Sequence, residues 1–418
     1  MSIFFLILCL ILILAKWAVQ LWLEQMNQKH VRARAKEIPA AFVGTVTPEN
    51  YAKSVDYTLA KSRFEKIELA WNLMVLLAVL FSGVLPRFYR FFQQTFGHSI
   101  WAESAFLIVM SILLTVPDFP LDWYSQFRLE ERFGFNTSTS KLWWMDRVKG
   151  LLLAVALGYP LLALILKLVE RLGASWWIWA WACVVIFQLL LMVIGPILIL
   201  PLFNKFSPLP EGPLRDRLLA LGERTGFLAK DIQVMDGSKR SRHSNAFFTG
   251  FGRFRKIVLF DTLIEQLSAS ELEAVLAHEI GHYKNRHIPK TIVISMIGML
   301  LGFYILAVLA QQNWFYASFG FQSGSIIPAF LLFGLLSGVV TFWLGPVFNR
   351  LSRKHEYEAD TYAANIMGEI QSLTGALRKL NEKNLSNLTP HPTYSGFYYS
   401  HPTLSERELS LAQLRLSA

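Results

Sequence analysis

The segment AHEIGHYKNRHIPKTIVISMIGMLLGFYILAVLA, from Ala277 to Ala310, joins two patterns that rarely meet. Its first part is polar and carries His278, His282 and His287. Its second part, Ile288–Ala310, is apolar for at least the roughly 20 residues a bilayer crossing needs. A His-rich polar helix running into an apolar span sets the reading of the whole chain. It predicts a membrane protein whose chemistry sits at the lipid–water boundary.

Composition agrees. Of the 418 residues, 53% are hydrophobic and only 17% are charged, where soluble domains carry about 25% charged residues. Apolar windows at Ser2–Leu23, Ile67–Leu85, Trp101–Val116, Leu151–Val169, Trp176–Phe203, Ile288–Ala310 and Ile326–Phe348 give roughly seven candidate spans. The Trp101–Val116 window is short and is expected to end at Pro117. The first window has the position of a signal peptide. It lacks a basic start and a small-residue cleavage site, and a basic amphipathic stretch follows it, so a retained anchor is expected. The cysteines, Cys9 and Cys183, both lie within apolar windows. That excludes a disulfide framework, a Cys-rich metal site and a cysteine nucleophile.

Net charge is +10, and where it falls matters more than its size. Lys29, Arg32, Arg34, Lys36, Lys53, Lys61, Arg63 and Lys66 follow the first span. Arg128, Arg132, Lys141, Arg147 and Lys149 follow the third, and Asn204–Arg286 and the C-terminal tail are also basic. The alternating loops carry little: Arg87 and Arg90 in one, Arg171 in another, and no charge in Gln311–Ser325. Positive residues favour the cytoplasmic side, so the expected topology puts the N-terminus outside, the C-terminus inside and every large polar block in the cytosol. Nucleic acid is not an expected partner, because no folded basic domain stands apart from the membrane. Membrane lipid is.

The chain divides into 1–203, five spans with their cytosolic loops; 204–287, a cytosolic segment ending in the His-rich helix; 288–348, two further spans; and 349–418, a second cytosolic segment. Within 204–287, NKFSPLPEG marks the exit from the membrane, and LRDRLLALGERTGF reads as an amphipathic helix ending at Gly226. DIQVMDG and RKIVLFD read as short strands, and SNAFFTGFG between them as a strand with an exposed edge. Ser268 and Glu271 have capping-box spacing and start a helix predicted to run through His287. The RKHEYEADTYAANIM segment is a second helical pattern, which the hairpin of the last two spans returns to the same face.

His278 and His282, four apart, lie on one face of a helix a turn from each other. At that spacing two neutral imidazoles hold one zinc ion, and Glu279 can take a proton from water at the metal. A surface helix with merely polar His and Glu is the plain alternative. His287 is a tempting further ligand, but the long HExxHxxGxxH form needs Gly at Asn285 and His at Ile288, so it fails. A catalytic zinc needs a third protein ligand. HEYEAD offers Glu356, with Asp360 one turn on to orient a ligating His ring through its distal N–H; His355 is the alternative ligand. Glu358 points elsewhere, to solvent or an ion pair. His30, His98 and His243 are read as structural or surface residues, and His391, which precedes a proline, is given no role.

The blocks SKRSRHSNAFFTGFGRFRKIVLFDTLI, LEAVLAHEIGHYKNRH and KHEYEADTYA, in that order, resemble the type 1 CAAX prenyl protease family of integral-membrane zinc metallopeptidases. SQFRLEERFGFN (Ser125–Asn136) resembles the segment after that family's third span, and YSHPTLSERELSL its C-terminal His-Pro and Arg element. The resemblance implies an α-helical polytopic membrane protein. About seven transmembrane helices would form a barrel around a large water-filled chamber, with a cytosolic α+β zinc metallopeptidase domain. It implies one Zn2+ per chain on His278, His282 and Glu356, with Glu279 as general base and Asp360 in support. Asn245, with Ala246 and Phe247, would lie on an edge strand pairing with substrate backbone. His401 and Arg407 would line the cleft and bind or polarise the scissile carbonyl; from the residues alone, a surface His-Pro turn serves as well.

The family's substrates end in a prenylated CAAX sequence, so the expected partner is a peptide or protein, lipidated or not. The chain ends LRLSA, without a dilysine-type retrieval signal, and its polar loops are short. This resembles a bacterial homologue in the inner (plasma) membrane with its site on the cytoplasmic side; the endoplasmic reticulum membrane is the expectation for a eukaryotic chain. Bacteria generally lack protein prenylation, which leaves a broad-specificity quality-control protease of membrane proteins as an alternative. An intramembrane site-2-type protease is opposed by the polar HExxH helix and by the only Asp-Gly, Asp236-Gly237, lying upstream. A zinc-binding adaptor without activity is opposed by Glu279, and a transporter by spans largely free of charge.

Overall fold

The computed structural model describes residues 1–39, 42–227, 231–249 and 256–414. The first half is helical: α1 (Ser2–Arg34), α2 (Pro48–Phe81), α3 (Val84–Phe96), α4 (Ile100–Thr115), α5 (Phe119–Tyr124), α6 (Ser140–Leu172), α7 (Trp176–Ile194) and α8 (Leu200–Phe203). Polar caps mark where these helices begin. The side chains of Thr47, Ser99 and Thr139 accept from the backbone N–H of Asn50, Ala102 and Leu142, filling donors that the first turn leaves open. Pro48 takes the first helical position of α2, where no N–H is needed.

The α-helix α4 ends at Thr115, beside the predicted Pro117 boundary, but the chain keeps coiling beyond it. Pro117 sits at the start of a 3-10 turn and Pro120 at the start of α5, positions that require no donor. The helical run therefore continues from Ile100 to Glu130.

Among the described residues, five helical runs are long and apolar enough to cross a membrane, or six if the bent pair α2–α3 counts as one. The run Ser140–Phe203 is 64 residues long, or about 96 Å of helix, more than one crossing requires. It breaks at Gly173–Ser175 into α6 and α7, which pack against each other. Neighbour contacts run from α1 to α2, through α3 to α4, then α6, α7, α12 (His287–Leu309), α14 (Ile327–Thr341) and back to α1. The helices thus close into a barrel, with exposed apolar side chains such as Ile186, Ile197, Val293 and Leu301 on its surface. A short helix, α13 (Asn313–Ala317), joins α12 to α14.

The polar block after α8 builds a four-stranded sheet from β1 (Phe206–Pro208), β2 (Asp231–Met235), β3 (Ala246–Thr249) and β4 (Lys256–Phe260), in the order β1-β2-β4-β3. β1 was not distinguished in the sequence from the Pro-containing exit segment. It pairs antiparallel with β2, and its proline lies on an edge strand, where a missing donor is tolerated. β2 and β4 are parallel, and β3 is antiparallel to β4. The β4 side chains Ile257, Val258 and Leu259 are buried. Of SNAFFTGFG, the residues after Thr249 lie outside the described ones.

The sheet shares one core, which includes Leu218, Ile232, Leu272, Ala277 and Leu373, with α9 (Pro213–Arg224), α10 (Asp261–Gln266), α11 (Ala269–Lys284), α15 (Gly345–Met367), α16 (Gln371–Lys383) and α18 (Leu404–Ala412), of which α10 and α11 touch its strands. α17 (Pro392–Tyr398) lies against α15 and α1. The predicted capping box at the start of α11 is present, with Ser268 and Glu271 bonding each other's backbone. The helix does not run through His287 as predicted. It ends at Lys284, Arg286 adopts a left-handed φ of 55°, and α12 begins at His287. Continuation is blocked by Pro289, which has no N–H for the Asn285 carbonyl and whose ring would clash with it.

Candidate active site

α11 presents His278, Glu279 and His282, and α15 presents Glu356, Glu358 and Asp360. The two helices come close together at Gly281. A Cβ built there would stand 3.0 Å from both the Cα and the carbonyl oxygen of Ala359. Only the absence of a side chain at Gly281 permits this approach, and Ala359 itself is fully buried. Gly281→Val is therefore expected to push the helices apart and weaken metal binding by at least about tenfold, since misplacing a ligand shell costs that order. Metal content after dialysis against a chelator measures it; undiminished retention would show that the close approach does not matter.

His278, His282 and Glu356 each offer one ligand atom, all within 4.8 Å of one another. The two Nε2 atoms are 3.2 Å apart. Glu356 Oε2 is 3.5 Å from His278 Nε2, and Oε1 is 3.3 Å from His282 Nε2. Zinc bonds of about 2.0–2.1 Å in a tetrahedron put ligand atoms about 3.3 Å apart, and each of these separations, taken to the nearer Glu356 oxygen, is close to that. Among the described residues, the buried Glu356 Oε2 has no hydrogen-bond partner, and His401 Nδ1 stands 2.9 Å from it. A buried carboxylate beside two imidazole Nε2 atoms, with one of its oxygens left unbonded, is a donor set that fits a divalent cation.

The electrostatics agree. Burial alone would lower the pKa of His278, but hydrogen bonds to Asp360 and Glu356 outweigh it and push it up to about 9. The anionic surroundings favour positive charge at this point. Burial raises the pKa of the Glu279 carboxyl above its ordinary value.

The predicted residues separate clearly. Asp360 Oδ1 lies 2.8 Å from His278 Nδ1. Arg407, also buried, grips both Asp360 oxygens with Nε at 2.8 Å and Nη2 at 2.5 Å. Its Nη1 is 3.6 Å from Glu356 Oε2. His401 is exposed beside Glu356. His355 lies outside the ligand triangle, stacked on His287. Asn245 immediately precedes β3, and its carbonyl accepts from Phe260 N–H. Ala246 and Phe247 begin β3, the terminal strand of the sheet, which contacts α11.

A cavity of about 890 Å3 reaches His401 and Arg407 and is walled by Tyr57, Lys61, Glu65 and Tyr398. His243, read from sequence as structural or surface, lines this cavity, stacked on Phe135 and 3.6 Å from Glu130. The Ser125–Asn136 segment joins the same wall. Phe135 O accepts from Arg242 N–H, and Asn136 pairs with Ser241.

Residues 27–205 match the model of the CAAX prenyl protease N-terminal domain, described as five membrane helices, and residues 208–415 match peptidase family M48. CAAX prenyl protease 1 of Saccharomyces cerevisiae is 38% identical over 403 residues, covering 90% of this chain and 88% of that protein.

The chain belongs to peptidase family M48.

Its M48 relatives include the CAAX prenyl protease 1 homolog of Arabidopsis thaliana, 37% identical over 88% of this chain and 89% of the relative. The crystal structure of S. mikatae Ste24p superposes with a TM-score of 0.90 at 35% identity, covering 97% of this chain and 98% of that one. The M48 chain is thus a multi-pass integral-membrane metallopeptidase that acts on peptide or protein substrates. The second contact behind the metal-binding triangle, from His287 to His282, was not anticipated in the sequence. Along the chain, the spacing of His287 bears only on whether it could be a ligand.

Proposed function

We propose that this M48 peptidase is a zinc-dependent endopeptidase that cuts near the C-terminus of membrane-associated proteins of the CAAX type, prenylated ones included. The observation that carries this is the ligand triangle on His278, His282 and Glu356, with Glu279 next to its first member. Two histidines and a glutamate with an open fourth position are a catalytic zinc set, not a structural one. The site lies where α11 meets the apolar helix α12, so a lipid-anchored chain would reach it without leaving the membrane. The basic loops argue for the cytoplasmic face.

When bound, zinc supplies a Lewis acid for the scissile carbonyl and lowers the pKa of water towards about 7. Glu279 takes the proton of the attacking water and later delivers it to the leaving amine. Its raised pKa suits both halves of that transfer. Asp360 holds the Nδ1 proton of His278, leaving Nε2 as the lone-pair donor. The outer edge of β3, from Asn245 through Ala246 and Phe247, takes the substrate as an added strand. His401 is exposed at the cavity rim beside Glu356, and there it would donate to the substrate carbonyl.

Detergent-purified protein incubated with a peptide pool, prenylated CAAX peptides and unmodified ones together, tests this by mass spectrometry. Cleavage should be abolished by a zinc chelator, restored by zinc, and confined to bonds near the C-terminus. Cuts scattered through unmodified peptides would favour broad quality-control proteolysis. No cleavage by a fully zinc-loaded chain would favour the adaptor.

A further inference from the structure

We propose that His287 and Glu358 form a relay that positions His282, the counterpart of the Asp360–Arg407 support behind His278. The inference rests on the reading of His282 as a metal ligand. His282 Nε2 faces the ligand triangle, and its Nδ1 lies 2.9 Å from His287 Nδ1. Two ring nitrogens at that distance share one hydrogen. With Nε2 kept as lone-pair donor, a neutral His282 carries its hydrogen on Nδ1, so His287 Nδ1 must accept it. The hydrogen of His287 is then on Nε2, where Glu358 Oε2 accepts it at 2.8 Å. Each hydrogen has one place, and the tautomers of both rings follow.

The chain is built to hold this arrangement. The left-handed backbone of Arg286, φ 55°, turns His287 back against the last turn of α11. His355 stacks on the His287 ring, centroids 4.0 Å apart and planes 10° from parallel. His287 is 3% exposed. Lys354, 3.7 Å from Glu358 Oε1, steadies the outer end. The two ligating histidines thus draw on one helix, α15, in different ways. His278 meets a carboxylate directly, and His282 meets one through a second ring.

The test is zinc affinity by chelator competition, with the visible spectrum of the cobalt-substituted protein, on the full chain in detergent. His287→Phe keeps a ring and removes the acceptor; it should lower zinc affinity by about 10–100-fold and shift the cobalt bands. His287→Asn places a carbonyl oxygen near the Nδ1 position and should stay close to the parent in both. Parental affinity in His287→Phe overturns the relay, and so does an equal loss in His287→Asn, which would assign the effect to packing. Where His287→Phe does not fold, the half-exposed Glu358 supplies the same comparison. Glu358→Leu should bind zinc more weakly than Glu358→Gln, and equal affinities overturn the proposal. A parent chain that binds no zinc overturns the metal reading and the relay together, whereas a zinc-binding parent matched by His287→Phe overturns the relay alone.

Discussion

Glu279→Gln is expected to lower peptide hydrolysis by about 10²–10⁴-fold, the usual worth of a positioned general base, and to leave metal content unchanged. Glu279 does not belong to the ligand triangle, and glutamine fills the same volume. The amide cannot accept a proton from water, so the loss should fall on kcat and not on KM. Single-turnover cleavage of a labelled peptide, read beside zinc content, separates the possibilities. Parental rates in the variant would remove Glu279 from the chemistry. Loss of zinc together with rate would make it a ligand or a packing residue instead.

Arg407→Leu is expected to destabilise the protein by about 3–5 kcal/mol, because it leaves a buried carboxylate without its cation. Arg407 is 9% exposed and Asp360 is 1% exposed, so solvent cannot replace the guanidinium. Among the described residues Asp360 would keep only His278 as a partner, and the orientation of that ligand would loosen. Zinc content should therefore fall along with Tm. Lysine is a poor substitute, since a single ammonium does not match the two-point grip on both Asp360 oxygens. A thermal melt with and without added zinc is the measurement. A variant with parental Tm and zinc content but a raised KM would make Arg407 a substrate contact, the role the family resemblance implies.

These variants probe different layers of the molecule, and the layers were not equally legible in the sequence. His278, Glu279 and His282 could be read because their relation is set by the pitch of one helix. Glu356 and Asp360 could be read for the same reason on a second helix. Nothing local says that these helices face each other. The sequence joins them only through a hairpin of two apolar spans, whose packing is set by contacts far from the site. Arg407 was legible as a cleft residue by resemblance, yet its two-point bond to Asp360 depends on where α18 docks. His287 failed as a ligand by spacing, and its bond to His282 exists because Pro289 breaks the helix and Arg286 turns the chain back. His243 had no motif around it and gained a place only from the cavity wall built by the Ser125–Asn136 segment.

By itself the sequence determined what local spacing and hydropathy can carry: the apolar spans, the capped helix of His278 and His282, and the carboxylates one turn apart at Glu356 and Asp360. Those are properties of the chain over a few turns, where 3.6-residue periodicity and side-chain polarity decide the outcome. The tertiary structure alone decided which of these groups meet. The contact of Gly281 with Ala359 sets the distance between α11 and α15. That distance is what brings three donor atoms to within 4.8 Å and gives each ligating histidine its own support. Close packing of two helix backbones depends on every surrounding contact at once, and no spacing rule along the chain contains it.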